Sequence, residues 1–171
     1  MVHPQAPAQF VWISAQRAQH IRGRCALVGV PLLIASLVLG VLIVVLGGQI
    51  PSSHPFRFGA VVFGAVSDLF LFFAAIGLVG SRPYVPGEHL NLTGARTARR
   101  VLIAMWVGSV FASAIACLVL SKVVSSSGGS TSRPQLDFSG SILVYLLLLI
   151  TPAVLAGIAA IVGYRLFKAP R

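Results

Sequence analysis

Acidic residues are almost absent from this chain of 171 residues, which holds three Asp and Glu against 13 Lys and Arg. The three acids, Asp68, Glu88 and Asp137, fall in separate segments of the sequence. Paired carboxylates for general acid–base catalysis therefore do not arise from any local motif. Only Asp68 interrupts a long apolar run, so it is the one candidate for an acid inside a membrane.

Other catalytic and metal-binding patterns are also missing. Histidine does not occur inside any apolar run, which excludes a haem held by histidines within a helical bundle. The two cysteines, Cys25 and Cys117, form no Cys-x-x-Cys motif, and their different predicted depths speak against a disulfide. No glycine-rich phosphate loop or nucleophile elbow is present. We therefore expect no enzymatic activity, no metal and no cofactor.

Four apolar runs of about twenty residues or more are what the chain does contain, and each is long enough to cross a bilayer as a helix. Charged residues make up 9% of the chain and apolar ones 57%, which leaves no segment able to fold as a soluble domain. We predict an all-α integral membrane protein with short loops, a four-helix bundle over residues 25–171 preceded by the segment 1–24. The predicted helices are Cys25–Leu46, Gly59–Gly80, Val101–Ser121 and Gly140–Gly163.

Basic residues are distributed unevenly around these runs, and this asymmetry predicts an orientation. Ten of them flank the inner ends of the helices: Arg17, Arg22, Arg24, Arg82, Arg96, Arg99, Arg100, Arg165, Lys168 and Arg171. Only Arg57, Lys122 and Arg133 lie on the other side. By the positive-inside rule both termini and the middle loop are cytoplasmic. We expect contact with anionic lipids, and no nucleic acid, at Arg17, Arg22, Arg24, Arg99, Arg100, Arg165 and Lys168.

The segment before the first run has two alternative interpretations. Gln9–Arg24 has apolar anchors and a polar face, which is typical of an interfacial helix, but a frayed tail fits as well. The first run itself is too long for a secretory signal, so we expect it to be retained as a helix.

Small side chains recur at four-residue intervals in three of the four runs and predict close helix packing. The rows are Ala60 and Gly64 in the second run, Gly108, Ala112 and Ala116 in the third, and Ala153 and Gly157 in the fourth. The first run has fewer small residues. We therefore expect it to be the helix most exposed to lipid.

Asp68 lies about nine residues, or roughly 14 Å, into the second helix, which is the middle of the bilayer. An ionised carboxylate there costs several kcal/mol, so we expect it to be protonated or hydrogen-bonded. Three roles remain open: a proton or cation site, a contact with another subunit, or a structural acid within the bundle. The candidate hydroxyl partners at similar depth are Ser36, Ser109, Ser113 and Thr151.

Two functions follow as hypotheses from these features. The first is a non-catalytic accessory or structural subunit, or an assembly factor, of a larger bacterial membrane complex. The second is a small oligomeric transporter or channel, coupled to protons or cations through Asp68. We expect a multi-pass protein of the plasma (inner) membrane that associates with other membrane subunits or with itself. The excess of arginine over lysine is typical of a GC-rich bacterium.

Overall fold

A computed structural model describes residues 10–48, 57–127 and 136–168. Strand β1 covers Phe10–Trp12, and the long helix α1 follows at Ala15–Gly48. Helix α2 is Arg57–Gly80, strand β2 is His89–Asn91, helix α3 is Leu92–Ser127 and helix α4 is Leu136–Leu166. A single 3-10 turn at Arg82–Tyr84 follows α2.

All four helices are long and apolar enough to cross a membrane, as the sequence predicted. By length and composition, the candidate spans lie within Ala15–Gly48, Phe58–Gly80, Leu92–Lys122 and Leu143–Leu166. The protein is therefore a helical membrane bundle. The start of α1, the end of α2, the start of α3 and the end of α4 lie at one end of it, which we call the basic end.

Helix α1 starts well before the apolar run, so residues 15–24 are its first turns and not a separate interfacial helix. Ser14 is the N-cap residue of this helix. Its hydroxyl accepts a hydrogen bond from the Arg17 amide at 3.3 Å, and its carbonyl accepts one from the Ala18 amide at 3.0 Å. No proline stands between Ser14 and Cys25, so the helix continues without a break into the membrane.

Two short strands add a feature that the sequence did not predict. β1 pairs antiparallel with β2, with Val11 opposite Leu90, and the Ile13 amide donates to the Glu88 carbonyl at 2.9 Å. The turn before β2 passes through Gly87, whose φ of 59° is a conformation that glycine adopts without strain. The cap formed by β1, β2 and the loop 81–88 closes the basic end of the bundle.

Asn91 ends the cap and begins α3. Its side-chain oxygen accepts from the Gly94 amide at 3.0 Å, as an N-cap residue does. Helix α3 therefore begins at Leu92, about five turns before its buried serines, Ser109 and Ser113.

The apolar core has two parts. One lies at the basic end, where Ile13 and Leu90 of the cap pack with α1, α2, α3 and α4, and it includes Ala18, Leu71 and Phe167. The other lies toward the opposite end and contains Ala60, Ala116, Leu120, Tyr145 and Leu149. Helix α2 contributes to both parts and contacts each of the other three helices. It is the central element of the bundle.

Candidate functional site: polar side chains inside the bundle

Two consecutive polar residues, Ser67 and Asp68, lie midway along the central helix α2. Both are buried, with 0% and 8% of their surface exposed. Consecutive residues of an α-helix point about 100° apart, so the two side chains meet different neighbours. Ser67 contacts α3, whereas Asp68 contacts α1.

Ser67 is the centre of a cluster of hydroxyl groups between α2 and α3. Its Oγ lies 2.8 Å from the Oγ of Ser109 and 2.8 Å from the Oγ of Ser113. The Ser109 hydroxyl also lies 3.1 Å from the Ser67 carbonyl oxygen, to which it can donate. Ser109 and Ser113 are four residues apart, which places both on one face of α3. The cluster therefore joins the two helices by several hydrogen bonds.

The same cluster extends to α4. The Ser113 hydroxyl donates to the Leu149 carbonyl at 2.7 Å. This carbonyl lies near Pro152, which has no N–H and so leaves the Leu148 carbonyl without its usual helical donor. Polar side chains commonly bond to backbone groups around a proline in a membrane helix. Three helices thus meet at one polar layer.

Asp68 has a different environment, in the groove between α2 and α1. Ser36 of α1 donates from its Oγ to the Asp68 backbone carbonyl at 3.4 Å. Gly40, one turn further along α1, faces the carboxyl so closely that a Cβ added there would lie 2.8 Å from Asp68 Oδ2. Within the described residues, Asp68 Oδ1 is buried and has no hydrogen-bond partner. The carboxyl is therefore enclosed without being fully bonded.

The four hydroxyl residues predicted to surround Asp68 are divided among three places. Ser36 lies beside Asp68, whereas Ser109 and Ser113 bond to Ser67 on the other side of α2. Thr151 donates to the Leu147 carbonyl of its own helix at 2.8 Å and reaches neither group. The prediction from depth alone merged two separate sites into one.

Two residues of the site, Ser67 and Gly40, were not among the candidates predicted from the sequence. Ser67 precedes Asp68 in the sequence and lies three residues after Gly64 on the small face of α2. Gly40 is one of the few small residues of the first run. Its pairing with Asp68 depends on the register between α1 and α2, which no local pattern reveals.

The small residues of the predicted rows lie at helix contacts. Gly64 faces Leu149 of α4 and Ile43 of α1, Gly108 faces the ring of Phe70, and Gly157 faces Trp106. The alanines of these rows, Ala60, Ala112, Ala116, Ala153, are all buried. Helix α1 also packs through small residues, because Gly29 faces Val79 and Gly47 faces Val61 and Tyr145. Its other faces are exposed apolar side chains.

The predicted lipid-contacting residues all lie at the basic end. Arg17 donates from its guanidinium to the Lys168 carbonyl at 3.0 Å, which ties α1 to the end of α4. The Arg99 guanidinium lies 4.1 Å from the ring centroid of Tyr164 and links α3 to α4. Arg22 donates to the Ala18 carbonyl of its own helix at 3.4 Å. The remaining four side chains are exposed, namely those of Arg24, Arg100, Arg165 and Lys168.

The part of the chain that the structure describes contains no group of three His, Cys, Asp or Glu side chains that could hold a metal ion. Both cysteines are free thiols. No protein family, curated protein or solved structure matches the chain. The geometry of the polar side chains is thus the basis for a functional proposal.

Proposed function

We propose that this protein is a non-catalytic accessory or structural subunit, or an assembly factor, of a larger complex in a bacterial plasma membrane. The observation that supports this role is the use of the buried hydroxyls of Ser67, Ser109 and Ser113 to bond helix to helix. These groups stabilise the bundle and are not directed at a substrate.

The filled interior supports the same proposal. A side chain added at Gly64 would meet Leu149 at 2.5 Å, and one added at Gly157 would meet Trp106 at 2.9 Å. Helices that approach this closely leave little room for an aqueous path within one copy of the chain. The surfaces that remain for partners are the apolar outer faces of the helices and the cap at the basic end.

The proposed orientation puts the basic end, and with it both termini, in the cytoplasm. More arginines lie at this end of the bundle than at the other end, as is expected for helix ends that face the cytoplasm. They would then meet anionic headgroups of the inner leaflet, each contributing about 1 kcal/mol to attraction near the surface. In this orientation the basic charge serves lipid contact and not nucleic-acid binding.

Purification from the native membrane in a mild detergent, followed by mass measurement of the intact particle, tests the subunit role. We expect stoichiometric foreign membrane subunits to remain bound to this chain. A particle that contains only copies of this chain would contradict the proposal.

A second function, proton- or cation-coupled transport by an oligomer of this chain, is favoured by the enclosed Asp68 carboxyl with its unpartnered oxygen. Intramembrane acids of this kind mark ion pathways in many transport proteins. Flux measurements on reconstituted vesicles that contain wild-type protein or the Asp68→Asn variant test it. Loss of flux in the variant supports transport, and absence of flux in the wild type contradicts it.

A further inference from the structure

We propose that the groove between α1 and α2 is a binding site for one exchangeable proton, carried by the Asp68 carboxyl and enclosed on the α1 side by Ser36 and Gly40. The inference deepens the second function above and rests on the same site. It concerns occupancy of the site only, so it can hold even if no transport occurs.

The contrast between Asp68 and its neighbour Ser67 is the first argument. The bundle provides Ser67 with partners on α3, and it provides Ser113 with a carbonyl on α4. Asp68, which is just as central, keeps one carboxyl oxygen buried without any partner among the described residues. Buried polar groups without a partner are rare in proteins, and each requires an explanation such as a bound ligand.

The surroundings of the carboxyl identify a proton as the ligand. α1 presents Ser36 and Gly40 to it, and neither carries a charge. No Lys or Arg occurs in the middle of any described helix, so an ionised Asp68 has no counter-ion at its depth among the described residues. A proton neutralises the carboxylate without further ligands, whereas Ca²⁺ and Mg²⁺ require six or more oxygens.

The described contacts that α3 and α4 make with the middle of α2 come from uncharged side chains. α3 presents Ser109 and Ser113 to the opposite side of α2, and α4 presents Leu149 to Gly64. The titratable side chains Tyr145 and Cys117 belong to the core cluster at the other end of the bundle. The Tyr145 hydroxyl lies 3.5 Å from the Ile43 carbonyl and is directed to it.

Gly40 gives the groove its particular shape. Because the carboxyl occupies the space where a Cβ would stand, any larger residue at this position must displace Asp68 or move α1. Asp68 retains 8% exposure, so the groove is nearly closed.

The test is labelling of the full chain in phosphatidylcholine vesicles with dicyclohexylcarbodiimide, a lipid-soluble reagent. The protonated carboxyl adds across one N=C bond of the reagent, and the adduct rearranges to a stable N-acylurea with no group lost. We expect modification of Asp68, mapped by peptide mass, to fall at least about fivefold from about pH 5 to about pH 9. The Asp68→Asn variant should show no label at this position.

Matched glycine variants test the role of the groove. Gly40→Ala should lower Asp68 labelling by about threefold or more, because the methyl group competes for the space of the carboxyl. Gly23→Ala, also in α1, adds a methyl with nothing within 4 Å and should label as wild type does. Absent labelling of folded wild-type protein, or labelling that does not change with pH, would overturn the proposal.

The wild-type result decides the inference even if Gly40→Ala fails to fold. Flux is measured separately, so the two proposals have distinguishable outcomes. Labelling that depends on pH without flux would leave the proton site standing and remove the transport function.

Discussion

Ser67 and Asp68 show how one step along a helix changes the role of a polar side chain. Ser67 points at two hydroxyls of α3 and contributes to helix association. Asp68 points at the glycine face of α1 and leaves an oxygen without a partner in the described part of the chain. Ser67 is bonded across the helix contact, whereas we propose a proton site at Asp68, so substitutions of the two residues should have different effects.

Replacing Ser67 by alanine tests whether its hydroxyl stabilises the bundle. The Ser67→Ala change removes the bonds to Ser109 and Ser113, so we expect the free energy of unfolding to fall by about 1 kcal/mol. Equilibrium unfolding in mixed micelles measures it. Thr97→Ala is the control, because the Thr97 hydroxyl bonds only within its own helix. Equal stabilities of the two variants would contradict the prediction.

Gly157 offers a second test at the residue scale, on the contact between α3 and α4. A Cβ at this position would lie 2.9 Å from Trp106 Nε1, so Gly157→Ala must shift the indole. We expect a loss of about 1 kcal/mol and a change in Trp106 fluorescence, measured with Trp12 replaced by phenylalanine.

Gly77→Ala is the control for this change. The added methyl would lie 3.8 Å from Leu102, an ordinary van der Waals distance. We expect its stability and fluorescence to match those of the parent protein. If Gly157→Ala also matched the parent, the close approach of Trp106 to α4 would be refuted.

At the scale of elements, the cap depends on pairing between chain segments that are far apart in sequence. Trp12 lies opposite His89, and their ring centroids are 3.9 Å apart. The Ile13 amide bonds to the Glu88 carbonyl. Because hydrogen-bonded and non-bonded pairs alternate in an antiparallel ladder, the pair Val11 and Leu90 also exchanges hydrogen bonds.

Val11→Pro should therefore open the cap, since proline has no N–H to donate and is poorly accepted in a strand pair. We expect faster hydrogen exchange at the amides of residues 88–91. The stability of the helices should change by less than about 1 kcal/mol, because the bundle is held by its own contacts. Unchanged exchange would show that the strands do not depend on each other.

The elements differ in how far the sequence could predict them. The four spans follow from apolar length, because unbonded backbone in hydrocarbon is too costly for other structures. The strands Phe10–Trp12 and His89–Asn91 are too short to show a period of two, and their pairing is set by tertiary contacts. Ser67 and Asp68 contact different helices because of the rotation of α2 about its axis. The position of a residue along the helix gives its depth in the membrane but does not specify this rotation.

At the scale of the whole molecule, the charge pattern and the cap coincide at one end. The basic residues described there are Arg17, Arg22, Arg24, Arg82, Arg96, Arg99, Arg100, Arg165 and Lys168. The other end has Arg57 and Lys122 among the described residues. If the positive-inside rule applies, the cap faces the cytoplasm and both ends of the described chain lie on that side.

Single cysteines at the two ends test this orientation in intact cells. In a background with Cys25 and Cys117 replaced by alanine, Glu88→Cys places an exposed thiol in the cap and Lys122→Cys one at the opposite end. We expect a membrane-impermeant maleimide to label only the cysteine at position 122, and the one at 88 only after lysis, because the arginine-rich end resists translocation. Labelling of position 88 alone would reverse the orientation, and equal labelling of both would mean that the chain inserts in two directions.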